Sequence, residues 1–307
     1  MRMAVLDIGS NTVHLLVVDA HVGAAPVPAT SFKRELRLAE NLLPNGDLSR
    51  DAIAALKSMI RECLDVAEEQ GCTELMAFAT SAIREATNGE QILEEIAADT
   101  GIILQVLSGE EEARHTFLAV RRWYGWSSRR LLVMDIGGGS LEIAAGQDED
   151  PSVAVSMPLG AGRLARSFLL SDPADPSEVK ALRKHVRATL AAHASVLTRF
   201  GRPDHVVCTS KTFRSLARLT GAAPASAGPF VERNLSGPAL RNIVPQLSSM
   251  SIQQRAELPG VSATRAHQVL AGAIVAEACF DLLGIEAAEI GPWALREGLI
   301  LKRLDHI

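Results

Sequence analysis

At 307 residues the chain exceeds one ordinary core of about 150 residues, so two domains are expected. Its 47% hydrophobic and 22% charged residues are those of a soluble globular protein, with no excess that suggests disorder or membrane insertion. The net charge of −5 excludes a surface coated in basic residues for nucleic acid, so a polyanionic ligand would need a local cluster of donors.

The opening run Met1–Leu6 is interrupted by Asp7 and no cleavage-like site follows, so secretion is not expected and the protein is placed in the cytoplasm. The apolar run from Met3 ends in Asp7-Ile8-Gly9-Ser10-Asn11. A second β-rich run, Val13–Asp19, follows it, which predicts a strand, a tight turn and a returning strand. Arg50–Gln70 and Asn88–Thr100 read as amphipathic helices, with strands at Leu75–Ala79 and Ile102–Leu107, so the class is α/β. Ala79–Arg84 leads from strand into helix, where hydroxyls, N–H groups and the Arg84 guanidinium could meet an anion. Arg84 reads equally well as a surface arginine.

Leu107–Leu118 starts a helix with Ser108 as N-cap and Glu111 three residues later, a capping box. Glu110 suits the helix dipole. Glu112 is left without an evident local partner and is the candidate general base for activating water, against the plainer reading of three acids decorating a helix start. Trp123–Ser128 is the expected crossing between domains, which places the boundaries at 1–124 and 125–292. The flanking pairs Arg121-Arg122 and Arg129-Arg130 could attract a polyanion or form a solvated face.

Leu131–Ser140 then repeats the opening pattern: an apolar run, Asp135-Ile136-Gly137, two further glycines, Gly138 and Gly139, Ser140, and β-rich Leu141–Ala145. The recurrence at about one domain length points to duplication. A single such turn is more readily just a tight hairpin, but two of them favour backbone nests for phosphate at Gly9–Asn11 and Gly137–Ser140. No helix follows the glycines, which argues against a dinucleotide-binding Rossmann loop, and no Walker A lysine is present. Asp135 and Glu142, with Asp7 as the equivalent in the first hairpin, would need Mg²⁺ or Mn²⁺ between them and a phosphate. Glu142 alone reads as well as an exposed strand charge.

Ser171–Ser177 is a surface loop leading to a helix near Glu178. Val207–Phe213 is a second strand-to-helix turn, offering Thr209, Ser210, Lys211 and Thr212 to an anion. Gly221–Pro229 reads as a flexible loop. The apolar stretch Val269–Leu283 is broken by Glu277 and Asp281 and falls short of a membrane span. The four cysteines lack zinc-site spacing and are expected to be reduced structural thiols.

Taken together, Asp7–His14, Ala79–Glu85, Ser108–Arg114, Asp135–Glu142, Pro158–Arg163 and Leu295–Gly298 resemble, in order, the motifs of the exopolyphosphatase and guanosine pentaphosphate phosphohydrolase family. That resemblance implies two duplicated ribonuclease-H-like (actin-like) domains with an interdomain cleft, and a C-terminal helix, 293–307, packing back on the first. It implies hydrolysis of the terminal phosphoanhydride of inorganic polyphosphate, or of the 5′ end of pppGpp, aided by a divalent cation. Glu112 matches the catalytic acid, Arg84 the arginine near the phosphates, and Asp135 and Glu142 the acidic metal positions. A homodimer is also implied. Two departures, Ser210-Lys211-Thr212 in place of a glycine-rich loop and Arg265-Ala266-His267 in place of Arg-Ala-Asp, bear on substrate preference. Rival readings are a non-catalytic alarmone sensor, and a sugar kinase or actin-like ATPase, since fold alone does not decide chemistry.

Overall fold

The computed structural model describes all 307 residues. They divide into two compact units: an N-terminal unit of Met1–His115 with Leu295–Ile307, and a C-terminal unit of Thr116–Ala294.

In the N-terminal unit, strands β1 (Arg2–Ile8), β2 (Thr12–Asp19) and β3 (Val27–Glu35) form an antiparallel meander. Strand β4 (Glu74–Ala79) pairs parallel to β1, and β5 (Gln105–Val106) parallel to β4, so the sheet order is β3-β2-β1-β4-β5. The strand expected over Ile102–Leu107 shrinks to two residues. It is an edge with one partner, and Ile103 stands 80% exposed beside it. Helices α1 (Arg50–Glu69), one-turn α2 (Ser81–Arg84) and α3 (Gly89–Thr100) follow the expected pattern. The Ser49 hydroxyl caps α1 by accepting from the Ala52 N–H.

Both faces of β1 are covered, because side chains alternate along a strand. Ala4, Leu6 and Ile8 pack with Ile53, Leu56, Ile60, Ile92 and Ile96. Met3 and Val5 pack on the other face with Leu299, Ile300 and Leu304 of the last helix, α11 (Leu295–Leu304). Asp7 continues the Met3–Val5 row, so the alternation itself turns its carboxylate toward α11.

Helix α4 (Gly109–Tyr124) carries the division between the units, which falls after His115 rather than after Tyr124. The second half of the helix belongs to the C-terminal unit because Arg121 is buried there. It donates to the Ser128 hydroxyl at 2.7 Å and to the Arg129 and Gly146 carbonyls at 2.7 and 3.1 Å. Arg122 pairs with Glu149 and Arg130 with Asp204, so three of the four arginines expected as a ligand patch or a solvated face are tied into the framework.

The C-terminal unit repeats the first topology. Strands β6 (Leu131–Ile136), β7 (Leu141–Gly146) and β8 (Val153–Met157) are antiparallel neighbours. Strands β9 (His205–Thr209) and β11 (Ala287–Ile290) continue the sheet in parallel, and β10 (Asn234–Ser236) closes its edge. Around it lie α5 (Ala161–Phe168), α6 (Pro176–Thr198), α7 (Ser210–Leu219), α8 (Gly237–Ser249), α9 (Ile252–Ala256) and the almost wholly buried α10 (Val269–Leu282). Helix α6 begins at Pro176, ahead of the expected Glu178, because Asp175 and Glu178 form a capping box and Pro176 suits the first helical position. The Gly221–Pro229 loop is held rather than loose: Arg233 donates to the carbonyls of Ala223, Pro224 and Gly228. All four cysteines are free thiols, and no helix is long and apolar enough to cross a membrane.

Candidate active site

In the N-terminal unit the β1–β2 turn is built by turning carbonyls inward. Gly9 N–H donates to the Thr12 carbonyl at 3.0 Å. The Ser10 carbonyl accepts from Ala39 N–H, and the Asn11 carbonyl from Leu36 and Arg37 N–H. The Ser10 N–H has no backbone acceptor, as an anion nest requires. The Ser10 hydroxyl meets the Ser81 hydroxyl at 2.6 Å in a buried contact, which ties the turn to the start of α2. Asp7, expected among the metal ligands, is instead paired with Arg296, whose Nη1 lies 3.0 Å from Oδ2. Burial holds the Asp7 carboxyl above its ordinary range, against the pull of the Arg296 guanidinium. Across the strand pair from Asp7 sits His14, pushed down to about 3 by burial, then by Arg296 and Lys33.

At the start of α4 the capping box is present: Ser108 N–H donates to Glu111 at 2.7 Å and Glu111 N–H to the Ser108 hydroxyl at 3.2 Å. Those bonds hold the Glu111 carboxyl below the usual range. Glu110 pairs with Arg114 one turn on. Glu112 does have a partner, although no local one. Arg84 Nη1 approaches its Oε1 at 2.6 Å and also donates to the Leu107 carbonyl. The Glu112 side chain is only 12% exposed. Arg84, expected to fork onto phosphate, here fixes the carboxylate and the strand end before it.

In the C-terminal unit the second turn follows the same plan with more support. Gly137 N–H donates to the Ser140 carbonyl at 2.9 Å, while the carbonyls of Gly137, Gly138 and Gly139 accept from Ala161, Arg163 and Gly160 N–H. The Arg163 side chain adds a bond to the Gly139 carbonyl at 2.8 Å. With the carbonyls drawn to α5, the N–H groups of Gly138, Gly139 and Ser140 have no backbone acceptor. Close approach, not positive φ, explains a glycine here: a Cβ on Gly160 would lie 2.2 Å from the Gly139 carbonyl carbon.

Asp135 and Glu142 are direct cross-strand partners on one face of β6 and β7. Asp135 accepts from the Thr209 hydroxyl at 2.6 Å and Glu142 from the Ser156 hydroxyl at 2.8 Å. Glu142 is 5% exposed, which removes the reading of it as a surface strand charge. Two carboxylates directly opposite repel. A hard cation between them relieves that, and Mg²⁺ suits one or two protein carboxylates with water and phosphate oxygens completing its shell. No group of three His, Cys, Asp or Glu gathers into an all-protein metal cage.

Ser210, Lys211 and Thr212 open α7 directly beyond Thr209, the residue paired in register with Asp135. Ser210 adopts φ 77°, a left-handed conformation costing a non-glycine residue about 1 kcal/mol or more. The Thr212 methyl packs toward Gly272 of α10, where a Cβ would come within 2.5 Å of it.

Duplicated D-I-G hairpins on two sheets of one topology, each beside a strand-to-helix turn, define the duplicated α/β, actin-like fold. The sequence profile described as the Ppx/GppA phosphatase family matches residues 17–307, and the chain belongs to that family. It is 56% identical over 305 residues to exopolyphosphatase 1 of Mycobacterium tuberculosis, covering 99% of this chain and 89% of that one. It is 52% identical to exopolyphosphatase 1 of Mycobacterium leprae over 305 residues, covering 99% and 90%. The crystal structure of an exopolyphosphatase from Cytophaga hutchinsonii superposes with a TM-score of 0.89 at 24% identity, over 100% of this chain and 99% of that one.

Proposed function

We propose that the protein is an exopolyphosphatase that hydrolyses the terminal phosphoanhydride of inorganic polyphosphate. The observation that carries this reading is the nearly buried Glu112, fixed by Arg84 at the first turn of α4. Mycobacterial relatives named exopolyphosphatase, at 56% and 52% identity, support the substrate class.

In this mechanism the Gly9–Asn11 turn of the N-terminal unit offers backbone N–H groups to phosphate oxygens; within the C-terminal unit the Gly137–Ser140 turn does the same, and the first residues of α7 add hydroxyls and the Lys211 ammonium. Arg84 orients the Glu112 carboxylate, which takes the proton of a water as its oxygen attacks the terminal phosphorus in line. The bridging P–O bond breaks, orthophosphate leaves, and the shortened chain keeps the bridging oxygen. Asp135 and Glu142 would hold Mg²⁺ or Mn²⁺, which when bound offsets charge on the phosphate oxygens.

Replacing Glu112 by Gln keeps shape and packing while removing the base. Turnover is expected to fall by about 10³-fold or more, with polyphosphate binding retained. Phosphate release at the wild-type rate would sink the assignment of Glu112. Release measured side by side from short polyphosphate, long polyphosphate, pppGpp and ATP, with and without Mg²⁺, tests the substrate class. Faster turnover of pppGpp than of any polyphosphate would move the protein to the guanosine pentaphosphate branch of the family.

A further inference from the structure

Helix α11 does more than cover a sheet. Leu299, Ile300 and Leu304 pack with Met3, Val5, Leu16, Val18, Phe78 and Leu107, a small core separate from the main one of the N-terminal unit. Two contacts at the start of the helix leave that core and reach toward the candidate chemistry. Arg296 closes on Asp7, two residues before the Gly9–Asn11 turn. One helical turn in, Gly298 lies against the backbone of His115, where a Cβ would stand 1.9 Å from the His115 carbonyl oxygen and 2.6 Å from its carbon. That is backbone-to-backbone packing, which only glycine permits. His115 lies three residues beyond Glu112 on the same helix, and Leu107, in the α11 core, accepts from Arg84, the residue that holds Glu112.

We infer that α11 is a strut that positions both parts of the N-terminal site: Arg296, through Asp7, sets the phosphate-binding turn, and Gly298, through the His115 backbone, sets the first turn of α4 and so Glu112. The inference rests on the hydrolase reading for its kinetic consequences but not for its structural one. Arg296 is a positioning residue. It supplies a fixed guanidinium where the sequence pattern alone suggests a bound metal ion, and so holds β1 at its end without a dissociable ligand.

The two contacts act on different partners, so their loss separates in kinetics. Arg296→Gln is expected to raise KM for polyphosphate about tenfold with kcat within about twofold, and Arg296→Lys, which keeps the charge but not the fork, to recover part of that loss. Gly298→Ala is expected to lower kcat about tenfold with KM within about twofold, because displacement of α4 misplaces the base. Hydrogen exchange on the same proteins supplies a readout independent of activity. Amides of residues 8–12 should exchange about tenfold faster in Arg296→Gln, and those of residues 109–115 in Gly298→Ala, with α1 unchanged in both.

Unchanged KM and unchanged turn exchange in folded Arg296→Gln would overturn the strut, as would a uniform rise in exchange across the N-terminal unit, which marks a merely structural role. Should Gly298→Ala fail to fold, Arg296→Gln decides alone. Wild-type protein inactive on every phosphoanhydride would defeat the hydrolase reading, and the exchange pattern would then decide the strut.

Discussion

At the residue scale, Glu112 is placed by a side chain 28 positions earlier rather than by its own helix. Arg84→Gln removes that ion pair while leaving the Glu112 side chain itself unaltered but no longer held, so kcat for phosphate release is expected to fall about 10–100-fold, the scale set by misplacing a catalytic group by about 1 Å. A turnover number within twofold of wild type would contradict the positioning role. His14 makes a second prediction. Its folded value of about 3 lies below the ordinary 6.5, so between these limits the unfolded chain binds more protons. This contribution to stability is fully present above pH 6.5 and is lost as pH falls toward 3, at no more than about 1.4 kcal/mol per unit. Thermal unfolding of His14→Gln should therefore show a shallower loss of Tm than wild type between pH 6.5 and pH 4. The Ser108–Glu111 capping box was legible in sequence because its two residues stand three apart, whereas the Arg84 partner of Glu112 was not. The Ser156 partner of Glu142 and the Ser10–Ser81 contact carried no local signal, and Asp7 and Arg296 stand 289 positions apart. Such pairings exist only once the sheet has set its register.

At the element scale, the two hairpins were readable because period-2 apolar runs and D-I-G turns are local features. The short β5 was not, since an edge strand's extent depends on its neighbour, here only Phe78 and Ala79 of β4. The second turn also depends on an element far along the chain: α5 takes up its carbonyls, and Gly160 packs against Gly139 and Ser140. Gly160→Ala places a methyl group inside that contact. The expected result is a loss of about 1–3 kcal/mol in denaturant unfolding, together with weaker phosphate binding as the turn is pushed from its place. Retention of both wild-type stability and wild-type KM would show that the turn does not need α5.

At the scale of the whole molecule, the N-terminal unit is made from both ends of the chain, with the C-terminal unit carried between them. Removing residues 295–307 strips Leu299, Ile300 and Leu304 from the core on β1, each contributing about 1.5–3 kcal/mol, and also removes the Arg296 and Arg303 ion pairs. Against a typical total of about 5–15 kcal/mol this is expected to unfold the N-terminal unit selectively. Limited proteolysis should then cut within residues 1–115 while sparing 116–294. Equal protection of both units would refute it. The same connectivity orders events during synthesis. A nascent chain can close the C-terminal unit as soon as Ala294 has emerged, but Met3, Val5 and Asp7 wait, uncovered on one face, until α11 leaves the ribosome. The N-terminal unit therefore cannot acquire its complete form until residues 295–307 have been made, and a chain stopped short of them yields a folded C-terminal half attached to an unfinished N-terminal one.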